Sequence, residues 1–162
     1  MSLESLLRPL AGAAEFQAIK NGLEQGSRYQ QVIGLSSSQT TYFTAGLADD
    51  ARPVLFIAQT AQSARQKADD LHNLLPDREI LLYPETDPVP YGAIARSREV
   101  MSLRLKVLEK IIRGECPVVV MSWEAAADKL LPPGVFETLF SSLATGTVVN
   151  LHDLPNCLTA QG

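Results

Sequence analysis

One stretch of this chain comes close to a known chemistry: Gly34-Leu35-Ser36-Ser37-Ser38-Gln39-Thr40-Thr41. A phosphate-cradling loop has the pattern G-x-x-x-x-G-K-[ST], set between a strand and a helix. Its first glycine and final hydroxyl residue are in place as Gly34 and Thr41. Gln39 stands where the second glycine belongs, and Thr40 where the lysine belongs. The glycine normally lets the backbone approach phosphate oxygens with no Cβ in the way. The lysine brings a positive charge to the β- and γ-phosphates, which a threonine hydroxyl cannot supply. The helix start still offers amide donors to an anion. The stretch therefore predicts a degenerate nucleotide site with, at most, weak anion binding and no catalysis.

Other chemistry is thinner. Ser36 and Ser38 do not lie in a nucleophile elbow, and helix capping is the simpler use of a serine there. His72 and His152 are isolated, so no metal site and no cofactor are expected. The acidic pairs Asp49-Asp50 and Asp69-Asp70 do not directly follow an apolar strand, and the strand Val54 to Ala58 ends on Gln59 rather than a carboxylate. No Asp-Glu dipeptide occurs. Lys106, Lys110 and Arg113 share a helix face that could touch a phosphate backbone, although such a stripe is usually a solvated face. Arg104 instead projects among Val100, Val107, Leu108 and Ile111 at 100° per residue. A buried guanidinium needs an acidic partner. Asp87 is the first choice, Glu85 the second, and an Arg104–Asp87 pair would hold the proline-rich loop and orient Tyr91.

The elements that must position these residues follow from periodicity. Helices are predicted over about 12–25, 39–48, 61–75, 97–113 and 124–131, each with apolar residues at helical spacing. Strands are predicted at Gln31 to Leu35, Val54 to Ala58, Ile80 to Tyr83 and Val118 to Met121. Continuously apolar strands alternating with amphipathic helices predict an α/β fold, a parallel sheet with helices on both faces. The loop from Pro84 to Gly92 carries too many prolines for a helix or a central strand. Residues 1–133 read as one α/β domain, and 134–162 as the beginning of a second, with a helix over 135–143, a strand over 147–151 and a helix from Asp153.

Composition narrows the function classes. The chain has 162 residues, 46% of them apolar and 20% charged, as in ordinary globular domains. Its formal net charge of -4 offers no global attraction to nucleic acid or an anionic membrane, so at most weak DNA contact is expected. Cys116 and Cys157 form no C-x-x-C motif, which suits a reducing, cytoplasmic setting. No stretch approaches the run of about 18 apolar residues that a membrane helix needs, and residues 1–14 build no signal peptide.

Several of these segments resemble one family. Gly34 to Thr41 is similar to the degenerate motif I in the N-terminal module of transcription-repair coupling factors (Mfd), where the related UvrB carries an intact Walker A. Val54 to Ala58, with Ala64 and Leu71 in the next helix, resembles motif Ia of superfamily-two helicases. Asp87-Pro88-Val89-Pro90-Tyr91 followed by Arg104-Leu105 and Leu108 resembles the acidic-x-x-Pro-Tyr and Arg-Leu-x-x-Leu pattern of the family. Val118 to Ser122, then Ala125 to Leu131 and Pro132, is similar to the strand and helix that lead into domain 2.

The resemblance spans residues 12–133. It implies a UvrB-like domain 1a and the start of domain 2, non-catalytic in this chain, with UvrA, RNA polymerase and other domains of the same polypeptide as partners. Translocation would belong to a separate motor. UvrB also has a long aromatic hairpin that clamps DNA, but Pro84 to Ala95 is short and holds only Tyr91, so DNA clamping is not implied. The UvrA-contacting surface of domain 2 is expected after Gly162. Two alternatives stay open: an ATP-binding fragment of a UvrB-like or superfamily-two helicase with an atypical P-loop, and a doubly wound small-molecule binder.

Overall fold

The protein is described by a computed structural model covering residues 4–48, 52–86, 98–115 and 117–138. Its elements run α1 (Glu4–Ala11), α2 (Ala14–Glu24), α3 (Ser37–Leu47), β1 (Val54–Ala58), α4 (Ala61–Leu74), β2 (Ile80–Tyr83), α5 (Arg98–Ile112), β3 (Val118–Ser122), α6 (Trp123–Ala127) and α7 (Pro133–Thr138). The chain divides into two compact units, Met1–Asp128 and Lys129–Gly162. In the second, only 129–138 are described, and α7 is their one helix.

The first unit is an α/β structure around a three-stranded parallel sheet ordered β1-β3-β2. β3 is central, with Val118 opposite both Val54 and Ile80. All five of its residues are buried, because side chains on both sides of a central strand meet packed helices. Val118 and Val120 point into a cluster with Ala64 and Leu71 of α4, Ala45 of α3 and Ala58. Val119 and Met121 point the other way, to Tyr83, Val107 of α5 and Ala125 of α6. Thr60 caps α4 by accepting a hydrogen bond from Ser63 N, and Ser122 caps α6 by accepting one from Ala125 N. Each cap thus turns a strand end directly into a helix start.

The second face is covered unevenly. In β1, Leu55 and Ile57 are 56% and 46% exposed, while Val54, Phe56 and Ala58 pack against the α4 layer. Helices lie on both faces of the sheet, but α5 packs over β2.

The expected strand at Gln31 to Leu35 is corrected: these residues form no strand. Val32 and Ile33 are its only β-branched residues, and Gly34 follows in a left-handed conformation at φ 91°, which an extended strand does not allow. Ile33 is 83% exposed, so no burial favours pairing at this position. The helix α1 has no counterpart among the expected elements. The expected helix at 124–131 ends at Ala127, and Ser37, expected in the turn, opens α3. The expected strand over 147–151, the helix from Asp153, and Asp49, Asp50, Cys116, Cys157 and His152 lie outside the described residues.

Candidate functional site

The start of α3 is a set of short, local bonds. Ser36, the residue before the helix, donates its backbone N–H to Gln39 Oε1 at 2.8 Å. This is the glutamine half of a capping box, in which a side chain three residues on satisfies the amide that enters the helix. Gln39 thus has a structural use at the position where a phosphate loop has glycine. Thr40, at the lysine position, folds its hydroxyl back to donate to Ser36 O at 2.9 Å. Thr41 is buried, and its hydroxyl lies 3.5 Å from Ser37 O, directed into the helix rather than toward a cation at the loop. Gly34, Ser36, Ser37, Ser38 and Gln39 are exposed. No strand leads into the loop among the described residues, so the strand-turn-helix context of a phosphate site is incomplete.

A cation does reach this helix start, from another element. Lys67 of α4 is 5% exposed and donates to Ser37 Oγ at 2.8 Å and to Ser37 O. Helical spacing could have found it. Position 67 is three residues after Ala64 and four before Leu71, both on the buried face of α4. Only its residue type argues against a place on that face.

Arg104 of α5 lies against Tyr83 of β2. It is buried, and its guanidinium carbon sits 4.3 Å from the Tyr83 ring centroid. Nη1 donates to Pro84 O at 2.9 Å and lies 2.8 Å from Asp128 Oδ2. Asp128 also accepts a hydrogen bond from Thr86 Oγ1 at 3.2 Å. Among the described residues, the carboxylate that meets Arg104 is Asp128, just after α6; Asp87 and Tyr91, the expected partner and the residue it would orient, lie outside them. Nothing in the spacing pointed to Asp128, which is 24 residues from Arg104 and comes near it only through the β3–α6 turn. Burial pushes the Tyr83 phenol above its ordinary pKa, and the adjacent Arg104 charge partly opposes this. Its hydroxyl makes no well-aligned hydrogen bond among the described residues, and the Arg104 guanidinium is the donor beside it.

Two of the three cations in the expected stripe, Lys110 of α5 and Arg113 just after it, are paired with carboxylates. Lys110 lies 2.8 Å from Glu79 and 2.7 Å from Glu115, and Arg113 pairs with Glu109 at 2.6 Å. These carboxylates hold the Lys110 pKa above its ordinary value. Lys106 is exposed. At the carboxyl ends of the strands, Ala61, Arg65, Tyr83, Glu85 and Ser122 line a cavity of about 160 Å³. That is below the roughly 300–1,000 Å³ of a small-molecule site. Among the described residues, no group of three or more His, Cys, Asp and Glu could hold a metal ion, and no helix is long and apolar enough to cross a membrane.

No family model matches the chain. Over 120 residues it is 37% identical to a protein of Bacillus subtilis (strain 168) named transcription-repair-coupling factor. The matched stretch is 74% of this chain and 10% of the Bacillus protein, so the chain spans a small part of the relative's length.

Proposed function

We propose that this chain is the UvrB-like N-terminal module of a transcription-repair coupling factor, non-catalytic in itself, which helps bring UvrA to RNA polymerase stalled at a lesion. Similarity to the Bacillus factor supports the setting in transcription-coupled repair. The observation that carries the non-catalytic half is the closed start of α3. Gln39 and Thr40 spend their side chains on Ser36, and Thr41 turns inward. A nucleotide would have to undo these bonds before these side chains could meet it, and would find no lysine from the loop itself to meet its phosphates. Domain 1a corresponds to residues 1–133 by the sequence division, with 134–162 as the start of domain 2; the compact first unit closes slightly earlier, at Asp128.

Partners on this reading are proteins: UvrA, RNA polymerase and other domains of the parent polypeptide. DNA contact is at most weak, since Lys110 and Arg113, two of the three cations of the expected stripe, are engaged by carboxylates. No cofactor is required, and the setting is cytoplasmic.

The competing reading, an ATP-binding fragment with an atypical P-loop, has one observation in its favour: the Lys67 ammonium beside Ser37. That ammonium is buried and bonded to both oxygens of Ser37, so it is directed at the helix rather than at a bound phosphate. The test uses the full-length polypeptide and stalled transcription complexes. Deleting residues 1–162 should weaken co-purification of UvrA, because the contact surface expected after Gly162 loses the domain and the start of domain 2 that support it, while ATP-driven displacement of polymerase continues. Undiminished UvrA recruitment by the deleted protein would overturn the proposal.

A further inference from the structure

We infer that Asp128 is a positioning residue. With Arg104 and Thr86 it forms a single latch that fixes both the backbone after β2 and the point where the chain leaves its first unit.

One carboxylate oxygen is the centre of the latch. Asp128 Oδ2 receives Arg104 Nη1 at 2.8 Å and Thr86 Oγ1 at 3.2 Å. The same Nη1 holds Pro84 O at 2.9 Å, and the guanidinium lies over the Tyr83 ring. Three parts of the chain therefore converge on two side chains: the segment just after β2, the middle of α5, and the end of α6. The Arg104 side chain is only 7% exposed, so water cannot readily replace a lost partner. Asp128 is the last residue of the first compact unit, and the second begins at Lys129. A pull on the chain at 129 thus acts directly on the carboxylate that also anchors Thr86.

If the contacts share one geometry, coupling between the two ends is reciprocal. Loosening Thr86 must loosen the exit at 128–129, and loosening Asp128 must loosen 84–86. If they are independent, each change stays local.

The intact 162-residue chain tests this. Lys129 is exposed and offers a trypsin site at the exit, while hydrogen exchange reads the amides of Glu85 and Thr86. Thr86→Val removes one hydroxyl without touching Asp128, and should speed cleavage after Lys129 by a few-fold to about tenfold, the scale of an ordinary intramolecular hydrogen bond. Asp128→Asn should speed exchange at Glu85 and Thr86 by a similar factor. Arg104→Lys keeps the charge but loses the planar fork, and should affect both ends. Lys110→Gln is the control that changes neither. The latch is overturned if Thr86→Val, with its thermal unfolding unchanged, leaves cleavage at Lys129 at the parent rate. It is equally overturned if Asp128→Asn loosens only its own end. Should Asp128→Asn fail to fold, the milder Thr86→Val still decides.

Discussion

Lys67 and Arg104 are both buried cations on helices of the first unit, yet their surroundings differ in kind. Lys67 meets two oxygens of a single serine, and no ion pair to a carboxylate joins it among the described residues. Arg104 meets a carboxylate, a carbonyl and an aromatic face. A planar guanidinium can serve several partners at fixed angles, and an ammonium on a flexible stem acts as a point charge. The lysine therefore holds one helix start, and the arginine ties three chain segments together. Burial of a cation alone does not say how much depends on it; what would be stranded by its loss does.

The largest effect should come from Arg104→Met. It strands Asp128, which keeps 34% of its side-chain surface in solvent, so the cost should be about 2–3 kcal/mol, below the ~3–5 of a fully buried pair. Denaturant unfolding measures it, and a loss under about 1 kcal/mol would place the two cations in one class. Lys67→Met leaves no opposite charge behind and preserves most of the stem's packing. Its effect should be about 1 kcal/mol or less in either direction. A cost equal to that of Arg104→Met would erase the distinction.

Tyr83→Phe sharpens the comparison further. The ring that Arg104 covers remains, while a hydroxyl with at most a poorly aligned bond to Arg104 disappears. Stability should be unchanged or rise by up to about 1 kcal/mol, and a clear loss would reveal a partner for that hydroxyl. Smallest at neutral pH is Lys110→Gln, where the melting temperature should not measurably change, because its pairs are exposed and screened. The pH dependence has a definite sign. Tyr83 and Lys110 both have folded-state pKa values raised above their ordinary 10.0 and 10.5. The folded state therefore retains protons that the unfolded chain releases, so their contribution is complete below pH about 10 and is lost as pH rises beyond it. A melting temperature that climbed between pH 9 and 11 would contradict this.

Much of the fold was legible because it rests on local patterns. β1, β2 and β3 follow apolar runs, and α4 and α5 follow their periodic faces to within a residue or two. Arg104 was legible as buried for the same reason. Its contact with Asp128 was not, because it depends on how α6 turns away from β3, which no spacing encodes. Gln31 to Leu35 shows the converse. A strand-like composition has no force without an edge to pair with, and here Gly34 and the exposed Ile33 leave it irregular. In the candidate site, the departures of Gln39 and Thr40 from a phosphate-loop pattern were readable, but not that Gln39 accepts the Ser36 amide while Thr40 bonds back to the Ser36 carbonyl. Lys67 is within reach of the helical wheel, but its charge disguises a core position.

The claim at the centre is that the α3 start is a capped helix rather than a nucleotide site. Isothermal calorimetry of the 162-residue chain with Mg-ATP tests it most directly, alongside the variants Thr41→Ala and Lys67→Met. No heat of binding is predicted at micromolar concentrations for any of the three proteins. Saturable micromolar binding by the parent chain, lost in either variant, would contradict the account and restore the ATP-binding reading.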